Sequence, residues 1–303
     1  MYPRPRKDLD VIKQIEDLSG LTLQCRTRGR EYPDLNSYEF FREKVRALYL
    51  SFGSEKDFPE LVGLMVKLDR LRSLKIRCAE LSDISLLSRL TQITDLDLSG
   101  NQVTDIQALN KLSQLVFLDL SGNRITDIQA LKNLSLIQNL NLSDNQITDI
   151  RALRGLSQVI YLNLSGNQIT DIRALRRLSE ISFLDLSGNR ITSIQSLGGL
   201  SHLSFLDLSG NRIRDIQALK GLSQLADLDL QNNRLRRLPE WICSFPEDIK
   251  WEEERYFFSI NLYNNPLVHP PVEVVMQGKE AIQDYFNKEK ELPPDTEIPL
   301  TEE

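Results

Sequence analysis

Residues 93–101 read ITDLDLSGN, and variants of this phrase return along the chain at a fixed step of 22 residues. Each copy alternates two leucines with polar residues, as Leu96 and Leu98 do, which predicts one short strand with its leucines buried. An asparagine closes each copy because the chain turns off the strand there, and a carboxamide can satisfy the unpaired backbone groups. These asparagines are Asn101, Asn123, Asn145, Asn167, Asn189, Asn211 and Asn233.

The remainder of each repeat predicts a short turn on the opposite side of the strand. Within residues 104–113 (TDIQALNKLS), Ile106, Leu109 and Leu112 are spaced by three, which suits a 3₁₀ or α turn. An aspartate precedes most of these turns, where an N-cap is expected; they are Asp105, Asp127, Asp149, Asp171 and Asp215. One repeat cannot bury its leucines alone, so neighbouring repeats must stack on a shared core.

The pattern L-x-x-L-x-L-x-x-N at a period of 22 residues resembles the cytosolic type of leucine-rich repeat. It predicts an α/β fold: a curved solenoid with parallel strands on the concave face, 3₁₀ or α turns on the convex face, and a cap at each end. A degenerate unit comes first, with Ala79 in the place of the asparagine. About ten extra residues, within residues 240–259, precede a last strand at Ile260 and Leu262.

The terminal segments predict the two caps. Residues 10–20 and 57–71 read as helices, residues 38–52 as a hairpin in preference to a helix, and the segment after Pro271 as helical with a break near Gly278. The predicted organisation is an α/β cap over 1–70, the array over 71–267, a helical cap over 268–290 and a disordered acidic tail over 291–303.

Both ends also carry a narrower resemblance. The N-terminal motif is DLDVIKQIE (residues 8–16); the C-terminal ones are LPE (238–240), NPL (265–267), PPVEVV (270–275), QGKEA (277–281) and YF (285–286). They resemble the leucine-rich repeat domain of bacterial Roco proteins. That resemblance implies a regulatory domain whose partner is a Roc GTPase and COR module, in cis or in trans. An isolated domain, a natural truncation and a standalone relative are all compatible with it.

The chain itself lacks the P-loop motif G-x-x-x-x-G-K-[ST], since Gly278 and Lys279 are followed by Glu280. It is therefore not predicted to bind nucleotide by a P-loop. We find no nucleophile with a matching base, no cofactor motif and no metal-ligand spacing, and predict no enzyme activity. Asp95 and Asp97 resemble the start of a calcium-binding EF-hand loop, but Ile106 occupies the position where a bidentate glutamate is needed, so a calcium site is not predicted.

Two columns of side chains are predicted to line the concave face. The first is Asp95, Phe117, Asn139, Tyr161, Phe183, Phe205 and Asp227; the second is Asp97, Asp119, Asn141, Asn163, Asp185, Asp207 and Asp229. Exposed aromatic residues are favoured binding anchors, so we predict a partner site formed by the four aromatic residues and the five aspartates of the second column. Repeat duplication and the consensus preference for aspartate remain an alternative explanation.

The convex side carries an arginine patch, formed by Arg151, Arg154, Arg173, Arg176 and Arg177. It raises the alternative of nucleic-acid or acidic-partner binding, although a solvated outer face is favoured because acidic residues balance it. The net charge of −6 therefore does not indicate a particular class of partner.

Composition and the N-terminal sequence bear on the compartment. Three widely spaced cysteines favour a reducing compartment, and no apolar signal region or membrane span is present. The sequence thus predicts a cytoplasmic protein-protein interaction scaffold that binds a protein or peptide on its concave face, with partner identity and oligomeric state left open.

Overall fold

The computed structural model describes residues 6–26, 37–41, 44–52, 55–78, 80–245, 248–254 and 258–291. Its helices are α1 (Arg6–Ser19), α2 (Phe58–Met65), α3 (Val272–Val275) and α4 (Lys279–Glu291). Its strands are β1 (Gln24–Arg26), β2 (Ser37–Phe41), β3 (Lys44–Phe52), β4 (Ser73–Cys78), β5 (Asp95–Asp97), β6 (Phe117–Asp119), β7 (Asn139–Asn141), β8 (Tyr161–Asn163), β9 (Phe183–Asp185), β10 (Phe205–Asp207), β11 (Asp227–Asp229), β12 (Asp248–Lys250) and β13 (Ser259–Asn261). All thirteen form one sheet, in the order β1 to β11, then β13, then β12.

The predicted solenoid is confirmed by the strand pairing of the repeats. From β4 to β11 each strand is parallel to the next, and residues one repeat apart are aligned, as Leu96 is with Leu118. The strand leucines are buried, and they join one hydrophobic core that extends from α1 to α4. The leucine alternation of the sequence therefore sets both the strand positions and the shared core.

The closing asparagines form a buried ladder of hydrogen bonds between repeats. Each side chain is only 5–7% exposed. In Asn123, Oδ1 accepts the Val103 N–H at 2.9 Å, and Nδ2 donates to the carbonyls of Leu98 and Leu120 at 2.9 and 3.0 Å. The same pattern continues to Asn265, which lies after the ten extra residues. These contacts satisfy backbone groups that would otherwise be buried without partners.

The convex side is formed by 3₁₀ turns, five of which follow the aspartates predicted to cap them. They span Ser85–Arg89, Gln107–Lys111, Gln129–Asn133, Arg151–Gly155, Arg173–Arg177, Gln195–Leu197 and Gln217–Gly221. The capping prediction was wrong by one residue: the N-cap is Ile106, and Asp105 before it accepts the Gln107 N–H at 2.8 Å. The Gln195–Leu197 turn, which follows Ser193 where five other repeats have aspartate, is only three residues long.

The N-terminal cap contains the predicted helix and hairpin with changed helix limits. α1 begins four residues before the predicted Asp10, and the buried Asp8 in its first turn accepts the Val45 N–H at 3.0 Å. β2 and β3 pair antiparallel, which confirms the hairpin. α2 ends at Met65, not Leu71, because the chain then tightens into i to i+3 turns that lead into β4.

The C-terminal cap contains an element that was not predicted. Part of the extra segment forms β12, which pairs parallel to β13 and occupies the outer edge of the sheet. The predicted last strand is present as β13, but it lies between β11 and β12. The helices with a break at Gly278 are confirmed as α3 and α4. Ala79 and residues 292–303 of the predicted tail lie outside the described residues, and Glu291 ends α4.

Candidate functional site

The first column of the concave face carries a stack of aromatic rings. Tyr161, Phe183 and Phe205 lie on neighbouring strands in aligned positions. The ring centroids of Tyr161 and Phe183 are 4.3 Å apart with 12° between the planes, and those of Phe183 and Phe205 are 4.1 Å apart with 8°. These spacings are shorter than the roughly 4.8 Å between strands, as expected on the inside of a curve. Because their faces are stacked, the ring edges are left for solvent or a partner.

Phe117 belongs to the same column but is separated from the stack. Asn139 lies between Phe117 and Tyr161 in the strand register. Phe117 is 37% exposed, whereas the three stacked aromatic residues are less accessible. The structure therefore brings three of the four predicted aromatic contacts into direct contact and leaves the fourth across a small polar residue.

The second column has a structural role that the sequence prediction missed. In every repeat its side-chain Oδ1 accepts the backbone N–H two residues later, at 2.9–3.1 Å. This Asx turn begins the loop that leads to the ladder asparagine. Only aspartate and asparagine occupy these positions between β5 and β11, and that restriction was the signal that could have revealed the turn. The column is thus needed for folding whether or not it binds a partner.

Part of the negative charge of this column is balanced within the sheet. Lys75 pairs with Asp97, with Nζ and Oδ2 2.7 Å apart. Burial opposes ionisation of Asp97, but hydrogen bonds from Lys75 and Ser99 outweigh it and lower its pKa. Asp119 accepts a hydrogen bond at 3.1 Å from Asn141 on the next strand. The lysine beside Asp97 and the amide beside Asp119 limit repulsion between the carboxylates in this part of the column.

The negative field of the column reaches the aromatic stack. Burial raises the pKa of Tyr161, and the nearby carboxylates of Asp185 and Asp119 raise it further, against a hydrogen bond with Asn163 that lowers it. A cation brought to this part of the face would therefore be attracted to it.

The C-terminal end of the concave face is covered by the chain itself. Asp207 and Asp229, two of the predicted partner contacts, are only 5% and 3% exposed. Asp227 beside them accepts the Phe258 N–H at 3.0 Å, and Asn261 donates to the carbonyls of residues 252 and 254. Residues 252, 254 and 258 thus contact β11 and β13 at this end of the face. Asp207 and Asp229 are buried, so they do not belong to the accessible face.

Two family models match the array. The model described as "Leucine Rich repeats (2 copies)" matches residues 91–133, 179–221 and 201–243, and the one described as "Leucine rich repeat" matches 113–169 and 137–191. Together they span residues 91–243, about half of the chain. The chain is a leucine-rich repeat protein. The comparison with curated proteins gives no match.

Solved leucine-rich repeat structures share its architecture. Internalin C2 of Listeria monocytogenes is 28% identical, with a TM-score of 0.52, over 74% of this chain and 92% of that one. A leucine-rich repeat protein of Leptospira interrogans is 20% identical, with a TM-score of 0.58, over 84% and 77%. The GASSHO1/SCHENGEN3 receptor kinase ectodomain of Arabidopsis thaliana, in complex with CASPARIAN STRIP INTEGRITY FACTOR 2, is 24% identical, with a TM-score of 0.59, over 77% and 27%.

The convex arginines of the leucine-rich repeat protein line an open groove of about 540 Å³. Two are already paired: Arg151 with Asp149 at 2.5 Å, and Arg173 with Asp171 at 2.6 Å. Hydrogen bonds from Arg173 hold the pKa of Asp171 at about 2. For the other three arginines of the groove, Arg154, Arg176 and Arg177, no ion pair is found within the described part of the chain.

Neither a metal site nor a membrane-spanning helix is found among the described residues. They contain no group of three or more His, Cys, Asp or Glu side chains placed to hold a metal ion. Nor does any helix in the described ranges have the length and apolar character needed to cross a bilayer.

Proposed function

We propose that this leucine-rich repeat protein is a non-enzymatic interaction scaffold that binds a protein or peptide on its concave face. The stack formed by Tyr161, Phe183 and Phe205 is the observation that carries this proposal. Aromatic residues dominate binding energy at protein interfaces, each contributing about 2 kcal/mol or more at the strongest positions. Because stacking already fixes the rings, little side-chain entropy is lost when a partner binds.

The accessible carboxylates define which partner fits. Asp119 and Asp185 lie in the second column beside the aromatic residues, whereas Asp207 and Asp229 are buried and are left out of the proposed contact surface. A partner segment with lysine or arginine next to apolar groups would complement this surface and associate faster. The receptor kinase ectodomain with its bound factor gives a precedent, on the same fold, for a protein ligand.

We further propose that the protein acts in the cytoplasm, as the regulatory domain of a Roco-type GTPase or as a standalone relative. The terminal motifs that resemble the Roco repeat domain support this assignment. The Roc and COR module, in cis or in trans, is then the first partner to examine. The proposed organisation keeps the caps at 1–70 and 268–290, with the array at 71–267 between them.

Partner capture with paired variants tests the concave face. Phe183→Ala with Phe205→Ala removes two stacked rings, and Arg173→Ala with Arg176→Ala changes the convex groove as a matched control. We expect the aromatic variant to weaken partner binding by about 30-fold or more, since about 2 kcal/mol is lost at a strong anchor. Unfolding midpoints must show that both variants are folded. Loss of binding in the arginine variant alone would move the working surface to the convex side.

A second candidate function is the binding of nucleic acid or an acidic partner in the arginine groove. The groove and its three arginines without ion pairs in the described residues favour it. Gel shifts with nucleic acid over a range of salt concentrations test this function, because contacts with phosphates weaken steeply as salt rises. Binding that is absent at low salt would rule out the nucleic-acid form of this candidate.

A further inference from the structure

The concave face has a notch at β7, where the aromatic column is interrupted. Asn139 is aligned with Phe117 on one side and Tyr161 on the other. With strands about 4.8 Å apart, the two aromatic residues are separated by roughly 9.6 Å. The Tyr161 ring is stacked on Phe183 on its far side, so its other face points towards β7. One planar group placed over Asn139 would continue the stack at nearly the spacing of the existing rings.

The residues just before the strands repeat the same pattern. Gln138 lies between Val116 and Ile160, so a polar side chain again has an apolar side chain on both sides. Ile160 is 46% exposed, and Leu136, three residues before β7, is 44% exposed. With Phe117, these two residues are among the exposed large apolar side chains of the described chain. Of the three, Phe117 belongs to the notch itself, whose floor is the polar side chain of Asn139.

A carboxylate lies at one side of this floor. Oδ2 of Asp119 is 3.1 Å from Nδ2 of Asn141, so the carboxylate reaches over β7 two residues from Asn139. An ionised carboxylate has about four acceptor positions, so Oδ2 can take a further donor beside this amide. The nearest lysine of the column, Lys75, is engaged with Asp97 at 2.7 Å. The notch thus combines ring faces and a negative charge.

We propose that this notch recognises an arginine side chain of the partner protein. The guanidinium lies over Asn139, between the rings of Phe117 and Tyr161, and donates hydrogen bonds to the Asp119 carboxylate. Arginine fits because its charge is carried by a flat group that both stacks on aromatic faces and pairs with carboxylates. Lysine has the charge without the flat group, and a neutral aromatic side chain would leave Asp119 without a cation. The proposal rests on the concave face being the binding face.

The site can be tested with acetyl-arginine amide as the probe, followed by NMR of the full chain labelled at its phenylalanine and tyrosine rings. A fragment of this size is expected to bind in the millimolar range. The expected result is a saturable shift of the Phe117 and Tyr161 ring signals. Acetyl-lysine amide and acetyl-phenylalanine amide, as matched probes, should bind at least about fivefold more weakly because each lacks one of the two interactions.

Two variants locate the probe. Asn139→Phe fills the notch with a ring and should abolish binding. The column tolerates phenylalanine on another strand, at Phe183. Asp119→Asn removes the negative charge and should weaken binding about fivefold or more. The next strand already has asparagine at the equivalent position, Asn141. Asp284→Asn removes the same charge from the exposed side of α4, outside the concave column, and should leave binding within about twofold. Urea midpoints confirm that each variant is folded.

Three results would overturn the proposal: no saturation up to about 100 mM probe, well beyond the affinity expected of such a fragment; unchanged shifts in Asn139→Phe; or lysine or phenylalanine probes binding as tightly as arginine. The assay contains no partner protein. It can therefore fail while partner capture still depends on Phe183 and Phe205, which would reject the arginine notch and retain the concave face. A partner that ignores Phe183 and Phe205 would instead reject the concave face.

Discussion

Replacing Asn167 with alanine removes a complete rung of the ladder at the centre of the array. Its Oδ1 accepts the Ile147 N–H at 2.9 Å. Its Nδ2 donates to the carbonyls of Leu142 at 2.9 Å, Leu164 at 3.1 Å and Ser165 at 3.1 Å. Alanine offers neither the acceptor nor the donors, and these backbone groups are in the packed interior where water cannot replace them.

The structure indicates how large the loss should be. Successive asparagines share their leucine carbonyls: Leu142 also accepts from Asn145 at 3.2 Å, and Leu164 also accepts from Asn189 at 2.9 Å. These carbonyls keep one donor each after the substitution, so the group left unpaired is the Ile147 N–H. Leaving it unpaired costs about 1–3 kcal/mol, and the other lost hydrogen bonds add about 1 kcal/mol. We therefore expect Asn167→Ala to lower the free energy of unfolding by about 2–4 kcal/mol.

Urea unfolding of paired variants measures this loss. Gln168→Ala is the matched control, because the half-buried Gln168 side chain lies next to Asn167 and makes no hydrogen bond within the described residues. This substitution should change the free energy of unfolding by less than about 0.5 kcal/mol. The midpoint of Asn167→Ala should fall by roughly 1 M or more relative to this control. Asn167→Asp keeps the acceptor and loses donors, so it separates the two halves of the rung. Equal midpoints for Asn167→Ala and Gln168→Ala would refute the assignment of the ladder as a buried hydrogen-bond network.

Three further perturbations follow from the same face of the sheet. The Lys75 ion pair contributes to the lowered pKa of Asp97, so its stabilisation is present above the unfolded pKa and is lost as pH falls through the folded one. Lys75→Gln should cost about 0.5–1 kcal/mol at pH 7, and this difference from the unsubstituted chain should vanish in acid unfolding curves once Asp97 is protonated. Asp144 has a φ of +53° where five other repeats have glycine, so Asp144→Gly should raise the free energy of unfolding, measured in urea, by about 0.5–1 kcal/mol. Asn139→Phe should stabilise the chain by about 0.5–1.5 kcal/mol through stacking on Tyr161, and an unchanged midpoint would contradict the spacing of the notch.

The repeat array could be predicted from sequence because one local pattern serves every level of the structure. The leucines that alternate along a strand are the same ones that neighbouring repeats bury, so Leu96 specifies both a strand and its partner on Leu118. The caps were harder to predict. β12 has three residues, and its strand character comes from pairing with β13 and not from its own sequence.

The candidate site was predicted in its positions but not in the roles of its residues. Register alone places Phe183 beside Phe205, and the stack confirms that arrangement. The second column was interpreted as an acidic surface, whereas Oδ1 of a residue such as Asp185 is used by a backbone N–H. Asp229 is buried beside Asn261, whose side chain donates to the carbonyls of residues 252 and 254, and the repeat pattern could not show these contacts.

The spacing of the face also constrains the partner. From the notch at Asn139 to Phe205 the column crosses three strand spacings, or roughly 14 Å. An extended peptide places residues i and i+4 on the same side about 13 Å apart. We therefore expect a segment with arginine at i and an apolar residue at i+4 to reach both sites when it runs along the column. A peptide with these two residues adjacent cannot do so, because their side chains point to opposite faces. Fluorescence titration with the two peptides should show at least about tenfold tighter binding of the spaced one, since one anchor is lost in the other. Equal affinities would mean that the partner does not run along the column in an extended form.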